Sequence, residues 1–156
     1  MKKSLLTCAL VTLIAFSGAA FAMEHNMAGM DHGTMTKSGD IHKGMLTIGE
    51  QTVDGVKAVV YLNDVKATMA KMGMKETHHL MIHFFNAAGK TVEQGSVAVK
   101  IKSPDGKESL PLKTMGMEKH FGVDVILEHK GTYSFTIGSQ LADGVKRQFE
   151  LKYDLK

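Results

Sequence analysis

The 156-residue sequence predicts an all-β chain, an antiparallel β-sandwich of about seven or eight strands. Two observations carry that expectation. From Met45 onward, apolar residues recur at every second position, as in Phe121, Val123, Val125 and Leu127. Such alternation sets one face of a strand on a core and the other in water. Turn residues punctuate these runs at Asp54-Gly55, Asn86-Ala87-Ala88-Gly89, Pro104-Asp105-Gly106 and Lys130-Gly131. Glycine at such joints supplies the positive φ that tight turns need, and short strands so spaced are the mark of a sandwich.

Taken in order, residues 1–22 read as a secretory signal. Lys2 and Lys3 form a basic head, Leu5 to Phe16 are mostly apolar, and Ala20-Phe21-Ala22 is a small-x-small cleavage site. The apolar run is well short of the roughly 20 residues a spanning helix needs. Cleavage after Ala22 removes Cys8, the single cysteine, and leaves a chain with neither disulfide nor thiolate. Losing Lys2 and Lys3 lowers the formal charge from +3 to +1. The remaining lysines are scattered and aromatics are few, which excludes a nucleic-acid footprint. The expectation is an exported protein of the bacterial periplasm.

Residues 23–44 are polar and glycine-containing and read as a flexible arm. The sandwich domain spans 45–156. Its strands are expected at 45–53, 56–62, 77–85, around Val97–Ile101, Phe121–Leu127, Tyr133–Ile137 and Phe149–Leu155. The exception is 65–76, VKATMAKMGMKE, where Val65, Met69 and Met72 have helical spacing and Gly73 interrupts. A helical turn or loop crossing one end of the sandwich is expected there.

The arm carries Met23, His25, Met27, Met30, His32 and Met35, and residues 23–35 hold no Leu, Ile, Val or aromatic residue to bury them. Thioethers suit Cu(I), and imidazole suits copper in either oxidation state. The arm is therefore expected to collect copper, Cu(I) first. After cleavage, the amine of Met23, two amide nitrogens and His25 offer a square-planar set for Cu(II) or Ni(II). His42 belongs to the arm or to the first strand.

Two further constellations lie in the body. In THHLMIHFF, residues 77–85, Leu80, Ile82 and Phe84 take the core face. His79, Met81, His83 and Phe85 share the other. Same-face neighbours lie about 7 Å apart, so His79 with Met81, or Met81 with His83, can reach one ion; His79 and His83, roughly 13 Å apart, cannot. The alternative is a strand whose second face packs beneath a loop. In TMGMEKHFG, residues 114–122, Met115, Met117 and His120 lie on a bend that Gly116 permits. Taken alone the segment reads equally as an ordinary loop; together with His79 and Met81 it is expected to complete a Met/His site between elements. His129, near a far turn, is expected to be structural or exposed.

The runs GVKAVVYLNDVKATMAKMGMKETHHLMIHF and MEKHFGVDVILEHKGTYSFTI resemble a known group. These are the periplasmic immunoglobulin-like proteins that accompany bacterial iron uptake and carry a copper site; the chain is also similar to the YtkA-like domain. The resemblance covers roughly 45–156 and implies an immunoglobulin-like sandwich. By position it implies His79, Met115 and His120 as ligands, with Met81 where the group has an acidic residue. A thioether there softens the site towards Cu(I). The histidine-rich loop before the last strand is missing, so His83, Met117 and Met74 are the candidate substitutes for a fourth ligand.

Three functions compete: a copper-binding protein for tolerance or delivery, an accessory of iron uptake, and a metal-free interaction module. A membrane metal transporter or a periplasmic copper acceptor is the expected partner of the first. No enzymatic constellation stands out, and without a thiolate a blue-copper centre is excluded.

Overall fold

The computed structural model describes residues 44–156. The segment read as a signal peptide and all of the arm but Gly44 lie outside the described residues. With them lie Met23, His25, Met27, Met30, His32, Met35 and His42.

The described chain forms two antiparallel sheets. Strands β1 (Leu46–Val53), β2 (Val56–Asp64), β3 (His78–Phe85), β8 (His120–Val125) and β7 (Met115–Met117) lie side by side in that order. Two-residue β4 (Thr91–Val92) pairs with the end of β3, alongside β8. The second sheet runs β10 (Lys146–Leu155), β9 (Gly131–Leu141), β5 (Gly95–Lys102) and β6 (Leu112–Lys113). Ten strands replace the expected seven or eight because β4, β6 and β7 are fragments of two or three residues, too short to show a period.

The period-two pattern builds the core as expected. Val60, Leu62, Leu80, Ile82 and Phe84 from one sheet meet Val99, Phe135, Ile137 and Phe149 from the other, all fully buried. Phe84 packs on Phe149 across the sandwich, ring centres 5.5 Å apart, and on Phe121 at 5.7 Å. Each such side chain contributes about 1.5–3 kcal/mol by leaving water. Arg147, itself buried, closes one end with a two-pronged pair to Asp143 at 2.7 and 3.1 Å.

The helix-spaced segment is α1, Lys66–Lys71. It does not cross the sandwich. It joins β2 to β3, which are neighbours in one sheet, and it buries no residue. Among the described residues, no helix is long and apolar enough to cross a membrane.

Candidate metal centre

Because β2, β3, β8 and β7 are adjacent and antiparallel, their register decides which side chains meet. His79 stands opposite Asn63 on one side and Asp124 on the other. Met81 stands opposite Tyr61 and Gly122, and Gly122 opposite Met115. His83 stands opposite Val59, and His120 opposite Met117. Residues directly opposite share a face. His79, Met81, His83, Met115, Met117 and His120 therefore occupy one face of one sheet, with Leu80 and Ile82 turned to the core on the other. Met74 lies in the loop between α1 and β3 and is exposed.

The imidazoles converge along β8. The His79 and His120 rings are 6.4 Å apart and perpendicular, and the His120 and His83 rings are 5.3 Å apart and nearly parallel. Tyr61 meets His83 edge-on at 5.4 Å. Met81 and His83 are 6% and 8% exposed although they face away from the core, so this outer face is itself packed. Met117 is 38% exposed and Met115, at the sheet edge, 67%.

His79 is oriented by its neighbour. Its Nδ1 lies 2.6 Å from Asp124 Oδ1. A carboxylate only accepts, so Nδ1 carries the proton and donates, and the lone pair of the neutral ring sits on Nε2. That nitrogen points over Gly122. A β-carbon at Gly122 would lie 2.8 Å from His79 Nε2 and 3.3 Å from Met117 Sδ, the nearest sulfur to that point. Glycine thus leaves a hollow into which an imidazole nitrogen and a thioether sulfur both reach. Among the described residues, no three His, Cys, Asp or Glu side chains cluster to hold a metal ion.

The remaining histidines are placed elsewhere. His78 is opposite Val125, on the core side, and its Nδ1 lies 2.8 Å from Thr77 Oγ1. Burial pushes its pKa down, against the pull of Asp64. His129 is exposed in the turn before β9, its backbone N–H donating to the Tyr133 hydroxyl at 3.0 Å.

Gly122 and Asp124 were not among the expected site residues. The available signal was their alternation with Phe121, Val123 and Val125, which puts them on the face of His120. A glycine inside a strand marks close approach by another group. The 79–124 pairing needs the β3–β8 register, which no local pattern contains.

No family model matches the sequence, and no curated protein matches it. Solved structures do. A DUF4426 family protein from Pseudomonas aeruginosa PAO1 is similar with a TM-score of 0.53 at 17% identity, over 72% of this chain and 95% of that one. A copper-bound glutamate-to-glutamine variant of FetP from uropathogenic Escherichia coli strain F11 is similar with a TM-score of 0.54 at 16% identity, over 72% and 91%. At these identities the likeness is one of fold.

Proposed function

We propose that this chain is an exported copper-binding protein for tolerance or delivery, a carrier rather than a catalyst, whose sandwich holds Cu(I) as cargo on the outer face of β3, β8 and β7. The observation that carries this reading is the hollow over Gly122, where His79 Nε2 and Met117 Sδ meet. His120, with its ring between those of His79 and His83, is the second nitrogen donor. Met81 and Met115, opposite Gly122 on either side, are further sulfur donors within the same row.

Each residue has a chemical task in this reading. Asp124 fixes the His79 tautomer and ring orientation, as outer partners of metal-bound histidines do. The thioethers supply soft, neutral donors that a hard ion rejects. The site is open at the β7 edge, where exposed Met115 and Met117 give a partner access for transfer. A neighbour of the same fold, the FetP variant, holds copper, which supports the reading. The Met/His arm adds a collecting segment, and a membrane transporter or copper acceptor is the partner such a carrier needs.

The test is a competitive titration of the processed chain with Cu(I) against a chromophoric chelator, without oxygen, on wild type and Met117→Leu. Leucine keeps the volume and removes the sulfur. Cu(I) affinity is expected to fall at least tenfold while the unfolding midpoint stays put. Equal affinity in the two proteins would remove Met117 from the site; no competition by either would return an iron-uptake or metal-free role to the front.

A further inference from the structure

The segment between β2 and β3 carries three methionines that the face just described does not use. Its ends are pinned: Val65 N–H donates to Thr77 C=O at 3.0 Å, and Thr77 N–H to Val125 C=O at 3.0 Å. Between them, α1 has six residues and buries none of them. A helix this short is not stable in water by propensity alone, and this one gains no packing against the core. Its C-terminus is closed by a paired cap: Gly73 N–H donates to Ala70 C=O at 3.1 Å and Met74 N–H to Met69 C=O at 3.0 Å. Gly73 takes the left-handed conformation this cap needs, φ 73°.

That cap has a consequence for side chains. In such a motif the residue two past the helix end frequently makes an apolar contact with the one three before it. Here those residues are Met74 and Met69. Met72, three residues after Met69, falls on the same side of the turn. Met72 and Met74 are 59% and 43% exposed, and Met69 is only partly buried, so the three are not core. Three thioethers around one helix end form a neutral, soft donor set, and the carbonyl end of the helix favours a cation.

We infer that Met69, Met72 and Met74 form a second metal site, an all-thioether site for a soft monovalent ion of the Cu(I) class, separate from the His79 face. The inference rests on these three residues and the cap, and holds whether or not the His79 face binds metal. Met74 belongs to this site instead of completing the shell of His79. The segment runs through Thr77 directly into His79, so the two sites are close along the chain.

The test uses the processed chain with 13C-labelled methionine methyls, each assigned by a single Met→Leu substitution, and Ag(I) as a redox-inert soft probe. The methyl signals of Met69, Met72 and Met74 are expected to shift together with one saturation point, and to do so equally in His79→Ala/His120→Ala. Met69→Leu/Met72→Leu/Met74→Leu is expected to bind one Ag(I) fewer and to keep the Met117 response. Three unmoved signals would overturn the inference. So would shifts that vanish in His79→Ala/His120→Ala, since the methionines would then belong to the other site. A moving triad with an unmoved Met117 would support this site and count against the proposed function of the face.

Discussion

Replacing Gly122 by alanine tests the hollow with a single methyl. The new β-carbon would stand 2.8 Å from His79 Nε2 and 3.0 Å from Cε1. Ordinary contact between such atoms begins near 3.5 Å, so the ring must retreat by roughly 0.7 Å. Its 2.6 Å hydrogen bond to Asp124 resists that retreat. Met117 Sδ, at 3.3 Å, must also give way. A donor displaced by this much, or an outer hydrogen bond broken to free it, costs about 10- to 100-fold in metal affinity. Folding should be less affected. Gly122 does not have positive φ, so alanine meets no backbone strain there. Crowding costs about 1–3 kcal/mol, and loss of glycine's unfolded-state freedom offsets up to about 1 kcal/mol of it. Chelator competition gives the affinity and urea unfolding the stability. A folded Gly122→Ala protein that binds Cu(I) within twofold of wild type would refute the placement of the metal over this glycine.

Asp124→Asn removes the acceptor-only partner of His79 and should weaken Cu(I) binding about tenfold, read by the same competition, with little change in fold. Phe149→Ala removes the ring that joins the sheets through Phe84 and should destabilise by about 3–5 kcal/mol, read as the shift in urea midpoint. Arg147 holds the Asp143 carboxyl below its ordinary 3.8 by hydrogen bonding. Its folded pKa is depressed, so this stabilisation is complete above pH 3.8 and is lost as pH falls through the folded value. Asp143→Asn should therefore lose less stability than wild type between about pH 5 and about pH 2 in thermal melts.

The sheets were legible because strand periodicity is local. Leu80, Ile82 and Phe84 announce their core face within eight residues, and Tyr133, Phe135 and Ile137 do the same. The short strands were not, since β4 and β6 are set by their partners and not by their own two residues. The face of the candidate site was half legible. His79, Met81 and His83 follow from period two within one strand. That Met117 and not Met115 brings the nearest sulfur to Gly122 depends on how β7 folds back on β8, and that Asp124 meets His79 depends on pairing between residues 45 apart in sequence. Helical spacing at 65–76 was visible, but its position was not: the adjacency of β2 and β3 in one sheet turns a crossing helix into a hairpin cap.

The most direct test of the central claim is a crystal structure of the Cu(I)-loaded processed chain, with the metal located by its anomalous signal at the copper edge. The expected result is an ion above Gly122, bonded to His79 Nε2 and Met117 Sδ, with His120 as a further donor. Copper found only elsewhere on the chain, with the His79 ring unchanged against Asp124 and no density over Gly122, would contradict it.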